Sequence, residues 1–183
     1  SLDYLDTVNL KFGMRHWLSN TEKLKVELNY RDIEEGDERF NNLAGSSIRA
    51  KLTWQQYLEN GYWKLGGKYQ IDDKNDRILE DEFISYSADR LSFFVGRYWE
   101  YQAWELDILG EYRISEYHDN NTYDGVEDTL REDDKLFLSS TITYNFDDSL
   151  SISAELDFTD NTSTLAENEY DQTTFSVGAT WLF

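Results

Sequence analysis

Apolar and polar side chains alternate along this chain with a period of two, a rhythm that fits extended strands with two chemically different faces. The stretch Ser149 to Thr159 is the clearest case: Leu150, Ile152, Ala154, Leu156 and Phe158 fall on one face, and Ser151, Ser153, Glu155 and Asp157 on the other. Leu136, Leu138, Ile142, Tyr144 and Phe146 repeat it, as do Trp104, Leu106, Ile108, Tyr112 and Ile114. Earlier segments follow the same rule, among them Val8 to Leu18, Leu24 to Tyr30, Ile48 to Trp54 and Trp63 to Ile71. Each segment runs to about ten residues, the length a tilted strand needs to cross a bilayer.

Alternation by itself suits a soluble antiparallel sandwich with one wet face equally well. The connections separate the two cases. Tight ones at Ser19-Asn20-Thr21-Glu22, Glu59-Asn60-Gly61, Gln102 and Asn145 to Asp148 alternate with long acidic ones at Asp32–Ala44, Asp72–Asp89, Glu116–Asp134 and Asp160–Asp171. Short periplasmic turns opposite longer outer loops are the pattern of an outer-membrane barrel. Aromatics gather beside the tight turns, at Tyr62, Trp63, Trp99, Tyr101, Trp104, Tyr144, Phe146 and Trp181, as an interfacial girdle would. The expected fold is all-β, an antiparallel transmembrane β-barrel with about nine strands in this single domain of residues 1–183. Bacterial single-chain barrels have even strand numbers. The sequence, whose N-terminus lacks a signal peptide and reads as mature or truncated, is therefore expected to be the C-terminal part of a larger barrel or to be completed by a partner chain.

Composition narrows the alternatives. With 13 Tyr, 10 Phe and 6 Trp the chain is too aromatic for ordinary disorder. A net charge of -20 opposes binding to nucleic acid. The lack of Cys removes disulfides and thiolate metal sites, and two unpaired His leave no His-based site, so no metal or cofactor is expected. No apolar run reaches the roughly 18 residues of a membrane helix. The mean hydropathy of -0.71 weighs against a helical membrane protein but not against a barrel, whose strands dilute each apolar residue with a polar one.

If the apolar face meets lipid, the other lines a lumen. The first four strands point Lys11, Arg15, Lys25, Arg31, Arg49, Lys51, Lys64 and Lys68 inward, opposed only by Glu27. Later strands supply Glu100, Glu105, Asp107, Glu111, Glu155 and Asp157. A wide barrel would carry this as a basic wall facing an acidic one, and a narrow barrel as a salt-bridged plug. Placing Leu91, Phe93, Val95 and Trp99 toward lipid sends Arg97 there too, unless a bulge turns it inward. Asn120 to Arg131 has a faint likeness to a calcium loop, but Arg131 stands where a bidentate Glu belongs, and these loops read as solvated surface. No catalytic set is expected: no Gly-x-Ser-x-Gly occurs, and the only enzymatic reading places His118 with Asp and Glu at the outer rim.

The last segment, Thr174 to Phe183, resembles the C-terminal insertion signal of bacterial outer-membrane proteins in the spacing of Gly178, Trp181 and Phe183. The resemblance implies recognition by the barrel-assembly machinery, closure of this strand against the first, and residence in the outer membrane among phospholipid and lipopolysaccharide. The Tyr- and Asp-rich hairpins also look loosely like the C-terminal barrels of exopolysaccharide secretins and surface-lipoprotein assembly modifiers, without their helical repeats. Two functions are carried forward. One is a channel or export pore for polar solutes, and the other is a non-conducting structural or surface-interaction barrel that works through its acidic loops.

Overall fold

The structure, a computed structural model, describes residues 5–35, 44–75, 77–79, 82–123, 126–127 and 129–182. The alternating segments become nine long antiparallel strands in one sheet: β1 (Leu5–Trp17), β2 (Glu22–Glu35), β3 (Gly45–Leu58), β4 (Gly61–Lys74), β7 (Ala88–Tyr101), β8 (Trp104–Tyr117), β11 (Glu132–Asn145), β12 (Leu150–Ser163) and β13 (Tyr170–Trp181). Each pairs with its neighbour in chain order, so the sheet is a meander. Four short strands, β5 (Arg77–Leu79), β6 (Glu82–Ile84), β9 (Thr122–Tyr123) and β10 (Val126–Glu127), form a second sheet in the order β10-β9-β6-β5. Two of the connections expected to be solvated loops thus pair with each other, through Phe83 and Thr122.

The long strands reach 14 residues, longer than the expected segments, because the pairing runs on past the apolar stretch into acidic sequence. The tight connections behave as the sequence indicates. Gly61 at φ 127° takes the β3–β4 turn, where an added Cβ would stand 2.2 Å from the Tyr98 carbonyl oxygen. In the β11–β12 turn Asp147 Oδ1 accepts from the amides of Ser149 at 2.8 Å and Leu150 at 2.9 Å, the Asx arrangement that Asp favours.

The expected closure of the last strand on the first is not formed. Among the described residues β1 pairs only with β2, and β13 only with β12. The reason lies in the count. In a meander of nine, the first and ninth strands run in the same direction, so the antiparallel ladder that continues round the other strands cannot continue between them. Both edge strands are exposed on both faces.

The burial pattern is inverted relative to a water-soluble sheet protein. On β7 the small or inward residues Ser92, Phe94 and Gly96 are buried, while Leu91, Phe93 and Val95 between them are exposed. One face is therefore concave and the other convex. The convex face carries the apolar set, including Phe12 at 65% exposure and Phe175 at 68%. The buried residues cluster on the concave side at the loop end and are largely polar: Asp72, Ser87, Ser115, Asn121, Asp133 and Asn161. Among the described residues no second layer covers the apolar face.

Candidate functional site

Register places the functional residues. One row across the sheet reads Lys11, Asn29, Arg49, Gln70, Arg90, Ser115, Asp133 and Ser163. The next reads Gly13, Glu27, Lys51, Lys68, Ser92, Arg113, Lys135 and Asn161, and the following one Arg15, Lys25, Thr53, Gly66, Phe94, Glu111, Phe137 and Thr159. Because side chains alternate by residue, these rows all project from the concave face. Lys64 and Asp157 share a row there, as do Asp107 and Glu155, and Arg31 and Glu105 have the same parity. All the charged residues expected to share one face do so.

Their pairing is more local than a basic wall facing an acidic one. Lys68 Nζ reaches Glu111 at 2.6 Å, and Lys64 Nζ reaches Asp107 at 3.5 Å, in each case from β4 to β8 across β7. Small residues on β7 make room: a Cβ added at Gly96 would lie 2.3 Å from Lys64 Cε. Arg113 Nη2 also donates to Glu111 Oε1, at 3.0 Å. The acidic half of the face also carries Arg90, paired with Asp72, and Arg113 and Lys135. The expectation of clean charge segregation is corrected to that extent. Asp72 falls within the connection that the sequence marks at Asp72–Asp89, and Arg90 stands between that connection and the alternation that begins at Leu91.

The basic half keeps a hollow of about 400 Å³ lined by Lys11, Arg15, Lys25, Glu27, Arg49, Lys51 and Lys68 with neighbouring Phe12, Gly13, Leu28 and Asn29. Lys25 pairs with Glu27 at 2.8 Å. Lys11, Arg15 and Arg49 make no ion pair among the described residues. Lys51 instead stands 4.9 Å over the ring of Phe94, which in turn covers Gly66. Nothing but a glycine fits there, since a Cβ would meet Leu52 O at 2.1 Å. The hollow thus presents several cations with one carboxylate among them.

Toward the tight turns the concave face becomes aromatic. Trp17, Tyr57, Tyr62 and Tyr98 stand in sequence across the sheet with ring centroids 5.3 to 5.8 Å apart, and Lys23 Nζ bonds the Tyr57 hydroxyl. Tyr62 therefore does not belong to the outer girdle expected of it. Its strand neighbour Trp63 does face outward, with Trp99, Tyr101, Trp104, Tyr144 and Trp181. Trp104, Tyr144 and Phe146 pack edge and face at 4.7 and 4.8 Å. Of the residues resembling an insertion signal, Gly178 pairs with Ser153, Trp181 is 72% exposed, and Phe183 lies outside the described residues.

Arg97 is outward, and no bulge relieves it. The ladder runs unbroken from Trp63 through Arg97 to Ile108. Its guanidinium lies 5.2 Å over the Trp63 ring. At the loop end His118 Nε2 meets Asp89 Oδ1 at 3.3 Å, whereas His16 sits near the tight-turn end of β1, so the two histidines do not meet. Asp124 and Gly125 of the calcium-like stretch lie outside the described residues, and the described residues contain no group of three potential metal ligands. Among them no helix is long and apolar enough to cross a membrane.

Fold and face together define a class: an antiparallel meander with an apolar convex side and a charged concave side. No protein-family model matches the chain, and no curated protein is similar to it.

Proposed function

We propose that this chain forms most of the wall of an outer-membrane β-barrel and that its concave face lines a path for polar, preferentially anionic, solutes. The observation that carries this reading is the inverted burial: exposed Leu10, Phe12, Phe93, Leu138 and Phe175 on the convex face against buried Asp72, Ser92, Asp133 and Asn161 on the concave one. An apolar surface of that extent is stable in contact with lipid tails, and every strand inside the sheet has its backbone paired, as a bilayer demands. The edges β1 and β13 are the exception. Antiparallel closure takes a further strand, supplied by another segment of the protein or by a partner chain. The environment is then phospholipid and lipopolysaccharide, and assembly falls to the barrel-assembly machinery.

A second reading has its own support. The Lys68, Glu111 and Arg113 cluster and the Phe94 ring occupy the concave face as a plug would, which favours a non-conducting barrel acting through its loops. The two are separated by incorporating the completed barrel into planar bilayers. Stepwise conductance supports the channel. Full insertion without conductance supports the structural barrel, and failure to insert removes both.

A further inference from the structure

Among the described residues of the nine long strands, Arg97 is the one Lys or Arg on the convex face, where lipid tails are expected. Arg97 leaves Nη1 buried and without a hydrogen-bond partner, and it makes no ion pair among the described residues. Beside it the apolar surface is scooped into a hollow of about 500 Å³, lined mainly by Val95, Ile108, Gly110, Leu138, Leu156 and Phe158. The hollow exists because Gly110 and Ser140 stand on adjacent strands where a large side chain would fill it. It begins at Arg97 and runs away from the tight turns toward the middle of the apolar band. Trp63, under the guanidinium, is two residues into β4 from Gly61, so the cation lies within about 10 Å along the strand of the turn at Asn60. An arginine there can direct its head toward the interface while its stem stays in the apolar layer.

We propose that Arg97 and this hollow form a site for one glycerophospholipid in the leaflet on the tight-turn side, its phosphate on the guanidinium and one acyl chain in the hollow. The reading rests on the outer-membrane placement proposed above. Charge complementarity selects the occupant: a guanidinium with no hydrogen-bond partner among the described residues, on a side chain that is still part-exposed, matches a phosphate, which the open edge of its N–H fork can grip. Trp63 orders the fork by holding one face of it. The apolar groove then selects a chain of methylenes over a polar ligand. A protein partner would have to bring an acid into the hydrocarbon layer, whereas a phospholipid already holds its charge at the right depth.

The test uses the full chain folded into vesicles, extracted in mild detergent with equal amounts of phosphatidylglycerol and a phosphate-free diacylglycerol, and weighed by native mass spectrometry. The chain should retain a phosphatidylglycerol and not the diacylglycerol. Arg97→Gln should lower the retained fraction about tenfold, the loss of one charge-assisted contact, with Arg97→Lys intermediate because the fork is gone and the charge remains. Gly110→Leu should lower it while leaving Arg97 in place. A Cβ at Gly110 meets nothing closer than 3.4 Å, so the backbone tolerates it, and Ser140→Leu fills the same hollow from the next strand should the first variant fold poorly. Equal retention by all variants, or equal retention of diacylglycerol, overturns the site. A dimer lost on Gly110→Leu overturns it in favour of a second copy as occupant. Protease protection and heat-modifiable migration are read on the same samples. Chains that insert but show equal retention refute the lipid site alone, and chains that fail to insert refute the membrane placement and the site together.

Discussion

Lys68 Nζ lies 2.6 Å from both carboxylate oxygens of Glu111, although β7 runs between their strands. Three consecutive strands are thereby tied on the concave face by one side-chain pair, itself mostly shielded, with 19% and 13% of the two side chains exposed. Glu111 has a second partner in Arg113, whereas Lys68 pairs with Glu111 alone among the described residues. The two halves of the pair should therefore respond unequally. Glu111→Gln should cost about 1–3 kcal/mol by stranding a half-buried ammonium, and Lys68→Met clearly less, because Arg113 still holds the carboxylate. Urea unfolding of the micelle-folded chain, followed by tryptophan fluorescence, measures both. Equal losses would contradict the bridging role.

Gly66 and Gly110 make a second contrast. Both are strand glycines, but a methyl at Gly66 strikes the Leu52 carbonyl oxygen at 2.1 Å and the Phe94 ring, while at Gly110 it finds ordinary contact. Gly66→Ala should spread β3 from β4 and reduce the folded fraction by about 2 kcal/mol or more, and Gly110→Ala should fall within about 0.5 kcal/mol of the parent. Gel mobility of unheated samples reads the folded fraction. Similar behaviour of the two would show that Phe94 does not lie over Gly66.

The Asp147 turn sets a pH dependence. Bonds from the Ser149 hydroxyl and amide, and from the Leu150 amide, hold this carboxylate below its ordinary value of 3.8. A group whose folded pKa is lowered adds stability above its unfolded pKa and loses it as pH falls through the folded value. Unfolding midpoints should therefore drop for the parent below about pH 4, and Asp147→Asn should show a smaller drop over that window. Parallel curves for the two proteins would exclude the turn as a source of the acid sensitivity.

The open edges make a prediction about exchange. β1 and β13 each offer one row of unpaired backbone groups and are exposed on both faces. In the 183-residue chain, amides of these strands should exchange at least roughly tenfold faster than those of β4 and β8. Hydrogen exchange by mass spectrometry tests it. Equal protection across the nine strands would mean that the edges are already paired, through closure or through a second copy.

Much of the architecture was readable because a period of two leaves each residue only one choice, inward or outward. Every inward charge from Lys11 to Asp157 follows from parity once the strands are placed. What parity cannot supply is the distance between strands. Lys68 reaches Glu111 across β7 beside the small Ser92, and Lys64 reaches Asp107 over Gly96, relations between residues far apart in sequence. Tyr62 was misplaced for the opposite reason: its nearness to a turn suggested a girdle, but it is one residue from Trp63 and so faces the other way. Arg90 and Asp72 were hidden because β4 and β7 continue into sequence as acidic as a loop, where hydrophobic alternation no longer marks the strand.

The last prediction concerns what passes along the basic hollow. Lys11, Arg15 and Arg49 are inward, adjacent and free of ion pairs among the described residues, so replacing all three with Glu removes cations without breaking a bond. Assembly should be unchanged. Selectivity should not be, because a unit charge in water contributes about 1 kcal/mol at 4 Å, roughly a fivefold change in local ion concentration. Three reversals within one hollow should turn an anion preference into a cation preference, read as a change in sign of the reversal potential across a salt gradient. The shift should fade as salt rises and the screening length drops from about 8 Å toward 3 Å. A conducting barrel whose reversal potential ignores all three substitutions would place the ion path away from this face. If the substitutions abolish folding of a barrel that never conducted, the charges are structural and the plug is the better description.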